Sequence, residues 1–169
     1  KIKTNEHLYI SFITDAYSHK IVGWHVAETL EAIQSIAALQ KALSAFGGAE
    51  SLFPLTHHSD RGLQYCSKEY VKLLQDNNIK ISMTENSDPL ENALAERVNG
   101  IIKDEYLDAY EVSDIKQAKE LLDIVISLYN SDRPHMSISN LTPNQIHHSL
   151  NSIKTEKLWK NYYRKNATP

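Results

Sequence analysis

A change of hydrophobic period near residue 30 constrains this chain more than any other feature. Residues 8–14 (Leu-Tyr-Ile-Ser-Phe-Ile-Thr) and 20–27 (Lys-Ile-Val-Gly-Trp-His-Val-Ala) are rich in strand formers. The turn chemistry of Asp15-Ala16-Tyr17-Ser18-His19 between them predicts a hairpin. From Leu30 the apolar residues Ile33, Ile36, Ala37, Leu39, Leu43 and Phe46 recur at helical spacing, until Gly47-Gly48 stops the helix. Short strands are expected at 52–57 and 79–83, with a helix between them that Ser67 caps and that ends near Asn77-Asn78. In the second half, Asp88 is a good N-cap, Pro89 suits the first helical position and Glu91 can reach back from N3. That helix is predicted to run to about Tyr110. Another follows from Ser113, with Ile115, Ala118, Leu121, Leu122, Val125 and Leu128 on its buried face, and Thr142-Pro143-Asn144-Gln145 opens a last one. Strands early and helices late predict an α/β domain whose helices pack on a mixed sheet.

The 169 residues, 41% of them hydrophobic, suffice for one domain with its own core, and 5 Gly and 5 Pro exclude a low-complexity or disordered chain. Cys66 is the lone cysteine, which rules out a disulfide framework or a multi-cysteine zinc site and suits a reducing cytoplasm. It reads as a small buried hydrophobe. No apolar run reaches membrane-spanning length, so no membrane partner is expected. No signal peptide is visible, and a start at Lys1-Ile2-Lys3 without Met reads as a cut fragment.

A net charge of −3 argues against a general nucleic-acid binder, but the charge is unevenly spread. Residues 1–150 carry 13 basic and 20 acidic residues, whereas residues 151–169 carry five basic residues against Glu156. The chain therefore reads as a core of residues 1–150 and a basic C-terminal extension of residues 151–169, which also holds Trp159, Tyr162 and Tyr163. Such an extension suits either a solvated terminal helix or a contact with a phosphate backbone.

Two segments could carry chemistry. In His57-His58-Ser59-Asp60-Arg61-Gly62, Asp60 is expected just past the carboxyl end of a buried strand, the edge where open α/β sheets bind ligands. A carboxylate there can hold a hard divalent cation, or it can cap a helix or open a turn. In residues 91–103, Leu94, Val98 and Ile101 form an apolar stripe with Leu90, while Asn92, Glu96, Asn99 and Lys103 form a polar ridge. Gly100, one turn beyond Glu96, suggests that another backbone comes close there. The ridge suits a metal and a phosphate chain, or an ordinary solvent face. Thirty-five residues separate Asp60 from Glu96. One carboxylate at a strand end and one on a helix are what a two-metal phosphoryl-transfer clamp requires.

The chain resembles the catalytic cores of DDE transposases from bacterial insertion sequences, relatives of retroviral integrases. The matching blocks are residues 13–24 (Ile-Thr-Asp-Ala-Tyr-Ser-His-Lys-Ile-Val-Gly-Trp), 57–65 (His-His-Ser-Asp-Arg-Gly-Leu-Gln-Tyr) and 91–100 (Glu-Asn-Ala-Leu-Ala-Glu-Arg-Val-Asn-Gly). Tyr129-Asn130, Arg133-Pro134-His135 and Leu141-Thr142-Pro143 complete the match. The resemblance implies a ribonuclease-H-like α/β fold, a mixed sheet flanked by helices. It implies that Asp60 and Glu96 are the second and third acidic residues of the catalytic triad and ligands of Mg²⁺ or Mn²⁺. It further implies hydrolysis of a phosphodiester at a transposon end and joining of the freed 3′-hydroxyl to target DNA. Lys103 matches a DNA-contacting position, and Arg61 and Asn99 beside the acidic pair are assigned to DNA as well. DNA, further copies of the chain and a cytoplasmic, nucleoid-associated setting are the expected partners and location.

One block of the family pattern is missing. The first triad Asp belongs to a Thr-Asp-Ile-Thr-Tyr-like segment on the first strand, and nothing like it occurs in this sequence. That strand is expected to be truncated, with its Asp upstream of Lys1. Asp15 aligns with an acidic residue outside the triad. Two rival readings are an inactive DNA-binding or assembly fragment, and a phosphodiesterase using His57, His58 and Asp60.

Overall fold

The computed structural model describes residues 8–45, 55–84 and 92–149. Strand β1 (Tyr9–Thr14) pairs antiparallel with β2 (Ile21–Ala27), Phe12 lying opposite Trp24. The Asp15 carboxylate organises the turn between them by accepting the amides of Tyr17 and Ser18, each at 3.2 Å, and the Ser18 hydroxyl. His19 takes a left-handed backbone, φ 63°, a conformation for which His is several-fold enriched. Helix α1 (Ala32–Ala45) packs on β2 through Ala38 and Ala42 against Gly23. Strand β3 (Thr56–Ser59), helix α2 (Lys68–Asp76) and strand β4 (Lys80–Met83) form a βαβ unit, the two strands parallel. The Ser67 hydroxyl caps α2 by accepting the Tyr70 amide.

Helix α3 (Ala93–Ile101) continues into a π-helical turn, Ile102–Leu107. Helix α4 (Ile115–Asp132) and, after a 3-10 turn at Met136–Ile138, helix α5 (Pro143–His147) complete the described chain. No helix among the described residues is long and apolar enough to cross a membrane.

The two faces of the β1–β2 ladder bury different sets of side chains, as a pleated strand requires. Ile10, Phe12 and Trp24 join Val98, Ile101, Leu122, Val125 and Tyr129 from α3 and α4. Ile13 joins Leu39, Tyr70 and Leu74 from α1 and α2. The arrangement has three layers, with the strands between the helices. Asn130 fastens α4 to β2: its side chain accepts the Ile21 amide and donates to the Ile21 carbonyl, both at 3.0 Å and both buried. The Tyr129 hydroxyl donates to the His19 carbonyl at 3.0 Å.

Several sequence expectations need correction. Among the described residues the strands form two separate two-stranded ladders rather than one sheet. A cavity of about 530 Å³ lies between β1 and β3, lined among others by Ile10, Phe12, Leu39, Leu43 and Leu55. The helix expected to reach Tyr110 changes period at Ile102. Leu128 is exposed, and Ile126 and Tyr129 take its place on the buried side of α4. Leu30 and Ile33 are exposed at the start of α1. Cys66 is exposed, its thiol 3.9 Å from the Met83 thioether. The Gly47-Gly48 stop, the Asp88-Pro89-Leu90-Glu91 start signal and the extension 151–169 lie outside the described residues.

Candidate active site

Asp60 follows the last residue of β3, at the carboxyl edge of the parallel pair, and lines the cavity between β1 and β3. Its Oδ1 accepts the Gly62 amide at 2.9 Å, the turn-opening role that the sequence left open. A Cβ on Gly62 would sit 2.9 Å from that oxygen, so the glycine preserves the carboxylate's position. Oδ2 has no hydrogen-bond partner among the described residues and is open to a cation. Arg61 donates its Nε to the Thr84 carbonyl at 2.7 Å, tying the Asp60 loop to the end of β4, and its terminal nitrogens make no hydrogen bond with a described residue. Beneath the loop, burial and the charge of Asp60 hold the Tyr65 hydroxyl above its usual range.

Helix α3 passes the same cavity. Asn92, Leu94, Ala95 and Asn99 line it together with Asp60. Glu96, one position round the helix from Ala95, lines an adjoining groove with Arg97, Gly100 and Asp104. The structure thus brings Asp60 and Asn99 to one cavity and sets Glu96 on the neighbouring side of the same helix. The Glu96 carboxylate is exposed and makes no hydrogen bond or ion pair with any described residue. Lys103 is exposed as well, with Asp104 at 3.8 Å as its ion-pair neighbour. No described atom would lie within 4 Å of a Cβ on Gly100, so the close backbone expected there is not found among the described residues. Gly100→Ala is therefore expected to stabilise the chain by about 0.5–1 kcal/mol, read as a raised urea midpoint. A lowered midpoint would show that something packs against Gly100.

The two histidines are committed to structure. His57 Nε2 bonds the Tyr70 hydroxyl at 2.9 Å, and burial, with the charge of His58 next to it, holds its pKa down to about 4. His58 Nδ1 meets the Ser82 hydroxyl of β4 at 2.9 Å. The rival centre of His57, His58 and Asp60 is not assembled: no group of three or more metal-ligating side chains occurs among the described residues. The fold instead leaves His57 Nδ1 and the Ser59 hydroxyl buried without partners among the described residues; both residues line the cavity.

Asp15 is also committed. Besides its turn bonds it meets His147 Nδ1 of α5 at 3.1 Å, and Ser18 Oγ approaches the same nitrogen at 3.1 Å. Ser, His and Asp meet here, but both oxygens converge on one ring nitrogen, so no proton relay to the serine results. Burial pushes the Asp15 carboxyl up, and the hydrogen bonds from Ser18, His147 and Tyr17 outweigh it and leave its pKa below the usual range. A depressed pKa gives stability that is complete above the unfolded value, near 3.9, and is lost as pH falls through the folded one. Asp15→Asn is expected to cost about 1–3 kcal/mol at pH 7, a difference that shrinks in denaturant titrations as pH falls through the carboxyl's lowered folded pKa.

Asp60 and Glu96 offer hard oxygen donors with free lone pairs, which fit a divalent cation such as Mg²⁺. Sequence reasoning located both elements. It did not reveal that the helix turns Asn99 toward Asp60, because a helical wheel carries no information about neighbours.

Comparison with known proteins identifies the family and the fold. Two family models described as integrase core domain match residues 1–89 and residues 77–143. Over 101 residues the chain is 36% identical to a putative transposase for insertion sequence element IS986/IS6110 of Mycobacterium tuberculosis, covering 59% of this chain and 36% of that protein. Over 143 residues it is 31% identical to the putative transposase InsK for insertion sequence element IS150 of Escherichia coli, covering 80% and 47%. The chain thus spans about a third to a half of the length of these curated relatives. The HTLV-2 integrase catalytic core domain, solved in complex with magnesium in a dimeric form, superposes with a TM-score of 0.60 at 24% identity, covering 84% of this chain and 83% of that one. The trimeric form gives the same TM-score, 0.60, at 23% identity, covering 83% of this chain and 84% of that one. This likeness establishes the fold, and the model spanning residues 1–89 covers more than half of the sequence. The chain belongs to the integrase core domain family.

Proposed function

We propose that this chain is the catalytic core of a DNA transposase of the DDE type, a metal-dependent polynucleotidyl transferase. The observation that carries the reading is Asp60, which directly follows a parallel strand at the cavity that α3 borders, with one carboxylate oxygen unbonded among the described residues. Its relatives named as insertion-sequence transposases support it.

In this reading Asp60 and Glu96 hold Mg²⁺ or Mn²⁺, which supplies charge neutralisation at the scissile phosphate and lowers the pKa of the attacking oxygen. Water attacks phosphorus at a transposon end, and the bond to the 3′-oxygen breaks, leaving a 3′-hydroxyl. That hydroxyl then attacks a target phosphodiester, so one ester bond is exchanged for another. Arg61, its Nε already spent on Thr84, turns its terminal nitrogens to phosphate. Asn99 offers its amide inside the cavity, and Lys103 neutralises a phosphate further along the helix.

A third carboxylate belongs on a strand preceding β1. Residues 1–150 form the core in this reading, and the basic extension 151–169 lies along the DNA backbone. Assembly of several copies on paired DNA ends, in the cytoplasm and on the nucleoid, completes it.

The test uses the full-length polypeptide that contains this chain, incubated with DNA bearing its element's ends. Nicked and joined products in Mg²⁺ or Mn²⁺, abolished by EDTA, are expected. Absence of both products in Mn²⁺, with DNA binding intact, would leave the inactive-fragment reading in its place.

A further inference from the structure

The period change at Ile102 has a cause in the apolar spacing. Val98, Ile101 and Ile102 are buried at α-helical intervals, and the next buried residue is Leu107, five positions after Ile102. Five residues match the i to i+5 bonding of a π-helix, and the Asp108 amide donates to the Lys103 carbonyl at 2.9 Å. An α-helical continuation would bring Glu105 and Tyr106 onto the face of Ile102 and carry Leu107 out of the core. The wide turn keeps the Glu105 carboxylate out of that core.

Glu105 is received by Arg133, just past the end of α4. Arg133 Nε donates to Glu105 Oε2 and Nη2 to Oε1, both at 2.7 Å, a two-bond fork. The arginine side chain is only 19% exposed. The pair lowers the Glu105 pKa and raises that of Arg133. Single π-turns within α-helices are rare and concentrate at functional sites. This one contains Lys103, one turn along from Asn99 and two from Glu96.

We propose that Arg133 is a positioning residue for the DNA contact of Lys103: by gripping Glu105 it holds the Ile102–Leu107 turn in its wide register, and that register sets the direction in which Lys103 leaves the helix. The inference rests on the DNA-binding reading of Lys103. With the grip released, the turn relaxes toward α-helical bonding, the Lys103 carbonyl exchanges the Asp108 amide for that of Leu107, and the side chains of the turn reorient.

The test measures binding of a short random-sequence DNA duplex by fluorescence anisotropy across a salt series. Lys103→Ala is expected to weaken binding about threefold to tenfold and to reduce the salt slope by about one. Arg133→Ala should give the same loss and the same reduced slope, and the double variant should lose no more than Lys103→Ala alone. Arg133→Lys keeps the charge but not the fork, so it should behave like Arg133→Ala. Additive losses, or an Arg133→Lys variant that binds like wild type, overturn the proposal. Glu105→Gln supplies the same comparison should Arg133→Ala fail to fold. Hydrogen exchange of the Asp108 amide reads the turn without DNA: it should quicken in the Arg133 and Glu105 variants and not in Lys103→Ala. Unchanged exchange in the Arg133 variants refutes the lock itself. A wild-type chain that does not bind the duplex refutes the DNA reading beneath it.

Discussion

Asp60→Asn is expected to lower metal-dependent strand cleavage by about a thousandfold or more while leaving the melting temperature unchanged. The carboxamide is close to isosteric and keeps the Oδ1 acceptor for the Gly62 amide, so the turn after β3 survives. What disappears is the negative charge beside the cavity. Metal-borne charge stabilisation is worth several kcal/mol, and each ~1.4 kcal/mol is a factor of ten in rate. Glu96→Gln is expected to follow it, since the Glu96 side chain supports nothing else among the described residues. The assay is product formation by the full-length polypeptide in Mn²⁺, alongside a thermal melt of each variant. Cleavage within tenfold of wild type in Asp60→Asn would remove the carboxylate from the chemistry.

The second large effect is on folding. A methyl group at Gly23 would lie 2.3 Å from the Ala38 carbonyl oxygen and 2.8 Å from both the Ala42 nitrogen and Cβ. These are atoms of the α1 backbone and of a buried alanine, so no flexible side chain can yield. Relief requires α1 to lift off β2, which opens the core beneath Leu39. Gly23→Ala is expected to cost at least ~3 kcal/mol, and Gly23→Val to leave the domain unfolded, given total stabilities of roughly 5–15 kcal/mol. A chemical denaturation midpoint for Gly23→Ala reads this directly. A change under ~1 kcal/mol would mean that the α1–β2 contact is looser than described.

The sequence made the local elements legible where side chains act on their own backbone. Thr142 caps α5, and Gln145 returns the bond to the Thr142 amide at 2.8 Å, as the Thr-Pro-Asn-Gln signature predicts. Ser67 caps α2, and the hairpin of β1 and β2 forms about Asp15. Features set by distant partners were not legible. Glu105 carries no mark in the sequence that Arg133, 28 residues on, will draw it out of an α-helical register. The five-residue gap between Ile102 and Leu107 is the one local trace of the π-turn. Leu128 fits the helical stripe as well as Tyr129 does, and contact with the His19 carbonyl decides between them. At the site, Asp60 was expected at a strand end because it follows a run of strand formers. Which side of α3 would face it depended on how the helix docks, and docking is set by Val98 and Ile101 entering the core shared with β1 and α4, not by the polar ridge.

The central claim is that Asp60, just past β3, and Glu96, on α3, grip the same divalent cation. Paramagnetic broadening of backbone amide resonances by Mn²⁺ tests it most directly, because it needs neither DNA nor turnover. The amides of residues 59–62 and 95–97 should broaden together at the same low Mn²⁺ concentration, and Asp60→Asn should protect both groups. Broadening near residue 96 that survives Asp60→Asn, or none there at all, would place the two carboxylates on separate sites and contradict the account.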